Sequence, residues 1–302
     1  MGSSPLFAVF NPAAGGGRSK DMAPAMLDRL RASGIAIEVS ETSRPGDAMR
    51  ITREAYAAGR RDFLAIGGDG TGFEVINGLF PAAAEKGAAR PTLGLLPTGT
   101  GNSFLRDFSH DTAEYSMKAI LDGRRRSCDV IRLTHRDGEF YYINLLSMGF
   151  VADVAATRNR RFQAFGQFGY VLGVFKELAG LHPRAFPMKI DGAEEIRRPL
   201  TFLSINNSRF TGGKMMMAPA ADTSDGLADL ILVDRMGRFS LLKAFPTIFK
   251  GTHVGLPQIH ALKVRTIEFD MDREIDVMVD GESLRVVPKR LEVLPGAFDA
   301  RA

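Results

Sequence analysis

In the first hundred of 302 residues, short apolar runs alternate with helix-like spacing, and most switches between them fall at glycine- or proline-bearing turns. Leu6–Phe10 (LFAVF) runs into Asn11-Pro12 and Gly15-Gly16-Gly17, after which Met22, Met26, Leu27 and Leu30 recur at helical spacing. Ile35–Thr42 reads as a second strand, and Asp47 reads as the N-cap of a helix that stops near Gly59. A third strand, DFLAI, ends in Gly67-Gly68-Asp69-Gly70-Thr71, with Phe73, Ile76 and Phe80 spacing one apolar stripe behind it. Thr92–Pro97 is the fourth, and it opens into Thr98-Gly99-Thr100-Gly101-Asn102. Repeated strand–turn–helix units with short connections dictate a parallel sheet flanked by helices.

From about Cys128 the pattern changes to hairpins. Asp137-Gly138 and Asp191-Gly192 sit between extended runs, a strong turn signal, and Ile275, Val277 and Val279 alternate. The expected division is 1–127 as the α/β part and 128–288 as a β-rich part. Two helices are expected inside the second part, over Phe162–Leu181 and Phe239–Gly251.

A composition of 45% hydrophobic and 25% charged residues is that of a chain able to bury a core. Thirty-nine Lys and Arg against thirty-five Asp and Glu leave +4, which suits an anionic small ligand or an anionic membrane surface and gives no case for nucleic acid. The single cysteine, Cys128, excludes an internal disulfide and suggests a reducing, cytoplasmic setting; with no histidine in a partner motif it reads as a small apolar residue. No apolar run is long enough to span a bilayer, so any contact with a membrane is expected to be peripheral.

In an open parallel sheet, ligands bind beyond the carboxyl ends of the strands. Glycines there let backbone N–H groups approach phosphate oxygens. One such loop is most simply a tight turn. Three at one sheet edge, Asn11–Gly17, Gly67–Thr71 and Thr98–Asn102, argue for a phosphate-bearing ligand. Gly212-Gly213-Lys214-Met215 lacks the spacing and hydroxyl residue of a P-loop, and no G-x-G-x-x-G follows the first strand. Asp69 is the informative member. A carboxylate beside an anion is repulsive unless it holds a cation or handles a proton, and phosphoryl transfer to a hydroxyl needs both.

These residues, in order, together with Asp280-Gly281-Glu282, resemble the diacylglycerol kinase catalytic-domain family, which includes bacterial soluble lipid kinases and the sphingosine and ceramide kinases. Asn206–Leu230 is similar to that family's second-domain signature. The resemblance implies a Rossmann-like parallel α/β nucleotide domain and a C-terminal antiparallel β-sandwich with inserted helices, the tail at about 289–302 returning to the first domain. It implies an ATP- and Mg²⁺-dependent kinase of a membrane lipid, diacylglycerol-like or a ceramide or sphingoid base. By position, Asn11, Pro12, Ala13, Ala14, Gly15, Thr42, Gly67, Gly68, Asp69, Gly70, Thr71, Glu74, Thr100, Gly101 and Asn102 would line the ATP site. Asp69 and Glu282 would be catalytic, Glu282 as proton acceptor. Asp222, Asp225 and Leu227 match a structural Mg²⁺ position, and a hard cation does favour closely spaced oxygens. Arg158, Arg160 and Arg161 would face lipid headgroups or simply solvent. A homodimer is compatible with all of this.

The glycine motif alone is shared with NAD kinases, so a soluble nucleotide kinase is the alternative from another substrate class. Two departures stand out. Gly72-Phe73 replaces the family's usual apolar residue and Asn, which should remove an amide beside the nucleotide site, and Ser103 stands where many bacterial members carry Asp.

Overall fold

The computed structural model describes residues 5–99, 101–161 and 180–302. Strands β1 (Leu6–Phe10), β2 (Ile37–Glu41), β3 (Asp62–Gly67) and β4 (Thr92–Pro97) lie parallel in the order β2-β1-β3-β4. Helices α1 (Ser19–Ala32) and α4 (Thr112–Leu121) cover one face, and α2 (Asp47–Ala57) and α3 (Asp69–Leu79) the other. Alternation along the strands feeds both cores. Leu6, Ala8, Leu64 and Ile66 pack toward α1 and α4, while Phe7, Val9, Phe63 and Ala65 pack toward α2 and α3. The central strands are buried on both faces, which is why they read as unbroken apolar runs.

α1 leaves β1 on one face and α3 leaves β3 on the other. The chain therefore reverses its winding between these neighbours, and a crevice opens at their carboxyl ends.

The second half adds antiparallel strands to the same sheet and builds a second one against it. Strands β5 (Arg126–His135) and β6 (Gly138–Tyr142) form the hairpin signalled by Asp137-Gly138. β7 (Leu145–Gly149) leads into helix α5 (Phe150–Arg161), and short β8 (Arg184–Ala185) and β9 (Met188–Ile190) precede β10 (Pro199–Asn206). A small hairpin, β11 (Phe210–Thr211) and β12 (Met215–Met216), lies before β13 (Ala228–Asp234). The remaining strands are β14 (Ile259–Val264), β15 (Thr266–Phe269), β16 (Ile275–Val279), β17 (Glu282–Val286) and β18 (Pro288–Ala300).

The second sheet runs β14-β13-β10-β7-β16-β17, all antiparallel, and faces β5, β6, β9, β15 and β18 across a core that includes Ile131, Leu146, Met148, Leu203, Leu230 and Val279. This is an antiparallel sandwich. The long β18 joins the two halves: Leu291–Leu294 pair with β5, and Asp299 and Ala300 run parallel beside Thr92 and Leu93 of β4. The parallel sheet and one leaf of the sandwich are thus one continuous sheet. The expected aromatic helix Phe162–Leu181 falls almost wholly outside the described residues. The second expected helix is a short α-helix, Arg238–Ala244, continued by 3-10 turns over Phe245–Lys250.

Candidate active site

The three glycine loops interlock at the crevice. Gly15, at φ +64, brings its Cα so close to the third loop that a β-carbon would lie 2.5 Å from the Thr98 carbonyl oxygen. A β-carbon on Gly99 would lie 2.5 Å from the Gly68 Cα. Only glycine permits either approach. Side chains lock the arrangement: Asn11 Nδ2 donates to Thr71 Oγ1 at 3.0 Å, Ala13 N donates to Asn11 Oδ1 at 3.0 Å, and the Ser19 and Thr98 hydroxyls are 2.8 Å apart. Gly67 must be glycine because Thr71 Oγ1 would sit 2.2 Å from its β-carbon. The result is a cleft of about 1660 Å³ walled by loop backbone, with the N-terminus of α3 directed into it.

Asp69 is the first residue of α3. Its Oδ1 accepts from Ser103 N at 2.8 Å and its Oδ2 from Ser103 Oγ at 3.2 Å. Ser103 thereby fixes the carboxylate, and a β-carbon on Gly101 would come within 2.4 Å of Asp69 Oδ2. Burial pushes the Asp69 pKa up, and the Ser103 hydrogen bonds offset only part of that.

Two further carboxylates arrive from the sandwich. Asp280 and Gly281 form the β16–β17 turn with φ of 46° and 91°, the left-handed pair of a two-residue hairpin. Asp280 is buried and ties β7 to this turn, its Oδ2 accepting from Ile143 N and its Oδ1 from Asn144 N and Leu145 N, each at 3.0 Å. Burial, reinforced by the negative charge of Asp69, raises its pKa to about 7 despite those donors. Glu282 starts β17 and leans over the first turn of α3; the surrounding protein and the charge of Glu74 raise its pKa. Its side chain reaches the solvent-filled cleft. From the sequence, Asp280 enters only as part of the Asp280-Gly281-Glu282 motif, in which the expected role falls on Glu282.

Behind Asp69, Ser103 and Asp280 lies a second space of a different kind. It is an apolar cavity of about 240 Å³ between the outer face of the second sheet and the 238–250 segment, lined by Phe150, Phe202, Met217, Val233, Met236 and Ile248 among others. Asp69 and Asp280 border both this cavity and the polar cleft. A carboxylate pair therefore stands where an apolar pocket meets a phosphate cradle.

Residues 5–133 match the family model described as the diacylglycerol kinase catalytic domain, and residues 144–300 match the model described as the YegS C-terminal NAD kinase beta sandwich-like domain. A diacylglycerol kinase of Mycobacterium tuberculosis (strain ATCC 25618 / H37Rv) is 32% identical over 294 residues, spanning 96% of this chain and 93% of its own length. The chain belongs to the diacylglycerol kinase family. A diacylglycerol kinase of Bacillus subtilis (strain 168) is 25% identical over 284 residues, spanning 93% of this chain and 90% of its own. In three dimensions, a crystal structure of a diacylglycerol kinase from Bacillus anthracis str. Sterne superposes with a TM-score of 0.70 at 22% identity, covering 98% of this chain and 96% of that one, which supports the shared fold.

Within this family member, Asn11 to Gly15, Thr42, Gly68, Asp69, Gly70, Thr71, Glu74 and Gly101 all border the cleft, with Glu282 opposite. Asn102 instead faces inward beneath the loop, with Gly67 and Gly68. Thr100 lies outside the described residues. Glu74 has a structural duty, its carboxylate accepting from Gly46 N at 2.9 Å and Ala48 N at 3.0 Å and so capping α2. Arg158, Arg160 and Arg161 belong to α5, but their side chains lie outside what is described. Cys128 is fully buried and its thiol is pushed up to about 11, so it is no nucleophile.

One expectation is corrected. Phe73 does not face the nucleotide cleft. Its ring is buried in the sandwich core, edge-on to Phe140 with centroids 6.2 Å apart, so the departure at this position concerns packing. At the expected Mg²⁺ position, Asp222, Asp225 and Leu227 are engaged with their own loop. Asp222 turns onto Ser224, accepting from its N at 3.0 Å and its Oγ at 2.7 Å, and Leu227 N donates to Asp225 Oδ1 at 2.9 Å. The positive charge at this place is the Lys263 ammonium, 2.7 Å from Asp225 Oδ2, 3.0 Å from Asp229 Oδ2 and 2.9 Å from the Ala220 carbonyl oxygen. Among the described residues, no three His, Cys, Asp or Glu side chains converge as metal ligands. Lys263 thus neutralises the carboxylates at Asp225 from within.

Proposed function

We propose that this chain transfers the γ-phosphate of ATP to the free hydroxyl of a diacylglycerol-like lipid. The observation that carries the reading is that one carboxylate, Asp69, fronts both the glycine-walled polar cleft and the apolar cavity. The cleft suits the phosphates: backbone N–H groups, the positive end of α3 and Lys20 at its rim favour anions. The cavity suits acyl chains, and its polar end at Asp69, Ser103 and Asp280 suits a hydroxyl.

In the transfer, the lipid oxygen bonds to the γ-phosphorus, the bond from phosphorus to the β,γ-bridging oxygen breaks, and ADP leaves. Asp69 takes the hydroxyl proton. Its raised pKa makes it a stronger base than a surface aspartate, and Ser103 holds it in one orientation. Glu282, which the resemblance marks as proton acceptor, borders the cleft only, whereas Asp69 also lines the apolar cavity where the acceptor hydroxyl would lie, and this favours Asp69 as the base. A divalent cation carried on the nucleotide phosphates would supply charge neutralisation, and Asp69 and Glu282 are carboxylates of the cleft that would hold it.

The test is transfer of label from γ-labelled ATP to dispersed diacylglycerol, ceramide, sphingosine or NAD. Label is expected in the lipid phase with diacylglycerol. Asp69→Asn should lower turnover by about 10²–10⁴-fold. Phosphorylation of NAD with no lipid product would overturn the reading.

A further inference from the structure

Among the described residues, the segment after β13 concentrates exposed apolar side chains. Phe239 is 90% exposed, Leu242 42%, Phe245 44% and Phe249 48%, four large apolar side chains within eleven residues. They form the outer face of the short helix Arg238–Ala244 and the turns Phe245–Lys250, whose inner face buries Ala244 and Ile248 against the second sheet. The segment is also one-sided in charge. Between Asp234 and Glu268 there is no acidic residue, and Arg235, Arg238, Lys243 and Lys250 lie within the first sixteen positions.

This patch is continuous with the site. Leu241, Leu242, Phe245 and Ile248 line the apolar cavity, while Phe245 and Phe249 also line the rim of the polar cleft. Lys20, from the other half of the fold, sits on the same rim.

We propose that residues 238–250 dock the protein on an anionic bilayer, with Phe239, Leu242, Phe245 and Phe249 entering the acyl boundary and Lys243 and Lys250 facing lipid phosphates. Aromatic and aliphatic side chains flanked by lysines and arginines, with no carboxylate among them, are what an interfacial segment presents to such a surface. Docking there sets the cavity mouth against the bilayer, so an acyl-bearing acceptor slides between Leu242 and Phe245 toward Asp69 without crossing water. The surface itself is argued from exposure and charge; only the direction of lipid travel rests on the lipid-kinase reading above.

Phe239 touches neither the cavity nor the cleft, so it separates docking from chemistry. The experiment is sedimentation of the full chain with vesicles of 30% phosphatidylglycerol in phosphatidylcholine and with phosphatidylcholine alone. Alongside it, kinase activity is measured on a short-chain diacylglycerol that is monomeric in solution. The wild type should bind the anionic vesicles, and do so more weakly in 0.5 M NaCl. Phe239→Glu should weaken vesicle binding by about tenfold or more, since one buried phenyl ring is worth at least that factor. Its turnover of the short-chain acceptor should stay at the wild-type level. Lys243→Glu should weaken vesicle binding in low salt only.

Vesicle binding by Phe239→Glu equal to wild type would overturn the proposal. So would a wild type that ignores vesicles, or a wild type whose patch instead pairs two copies into a dimer that Phe239→Glu dissociates. A wild type that ignores vesicles yet phosphorylates the short-chain acceptor sinks the docking surface alone. Vesicle binding without phosphorylation of any lipid sinks the kinase reading alone.

Discussion

Gly70 and Glu282 meet where the two halves of the protein close: a β-carbon on Gly70 would lie 2.5 Å from Glu282 Oε1. The glycine sits in the first turn of α3 and the glutamate at the start of β17, so their contact couples the phosphate cradle to the sandwich. Gly70→Ala should therefore displace a carboxylate tip while leaving the backbone untouched, because Gly70 has an ordinary helical conformation and alanine favours helices. The expected outcome is unchanged or slightly higher thermal stability with turnover reduced about tenfold or more, read from melting curves and initial rates on the same preparation. Loss of folding instead would mean that the contact is structural.

Asp280 and Asp69 repel one another across the cavity end, so they titrate as a pair, and whichever ionises second carries the shift. Asp69→Asn removes the charge that helps to hold Asp280 up. The titration of the Asp280 carboxyl, read by carbon NMR, should move to lower pH in that variant, because Asp280 then ionises more easily. An unmoved titration would show that the two groups are not coupled.

The same residue makes a separate statement about stability. Asp280 holds its proton to about pH 7 in the folded protein, whereas the unfolded chain releases it near 4. The folded state thus binds more protons between those values, and the contribution of Asp280 to stability falls as pH rises from about 4 to about 7, then levels off. Denaturant midpoints from pH 5 to pH 8 should slope downward more steeply in the wild type than in Asp280→Asn. The variant should also carry a constant offset of about 1–3 kcal/mol, since an amide nitrogen cannot accept from Ile143 N.

Lys263 stands where a divalent ion was expected, and its removal should reveal the substitution. Wild-type melting temperature should not respond to millimolar Mg²⁺ or to chelator in the absence of nucleotide. Lys263→Ala should lose about 1–2 kcal/mol, a value held down by the partial exposure of the ammonium, because Asp229 is left buried without its counter-charge. Mg²⁺ should then restore part of the loss in the variant only. Mg²⁺-dependent stability in the wild type would show that a cation does bind beside Lys263.

Gly78 marks where α2 and α3 touch. An alanine there would place its β-carbon 2.5 Å from the Met49 carbonyl oxygen and 2.6 Å from Thr52 Cβ. Neither neighbour can swing aside, so Gly78→Ala should destabilise by about 1–3 kcal/mol in urea titration. Activity of the remaining folded fraction should change little.

The N-terminal half was legible in the sequence because its physics is local. Buried parallel strands demand continuous apolar runs such as Phe63–Ile66, and their turns demand glycine wherever a β-carbon would strike backbone, as at Gly15 and Gly99. Asp69 stood out for the same reason, as the one charge in a loop otherwise stripped of side chains.

What the tertiary structure decided are pairings between residues distant in the chain. Phe73 is four positions from Asp69 along α3, yet its surroundings are set by β6 and the sandwich, so its distance from the cleft is invisible until those strands pack. Lys263 is 38 residues from Asp225 and reaches it only because β13 and β14 are paired, Asp229 opposite Lys263. Asp280 looks like any hairpin aspartate until β16 sets it against β7 and, across the cavity, against Asp69. The sequence alone determined which loops bend and which strands hide. Where charges face one another was left to the fold, because electrostatic neighbours depend on distance through space and not along the chain.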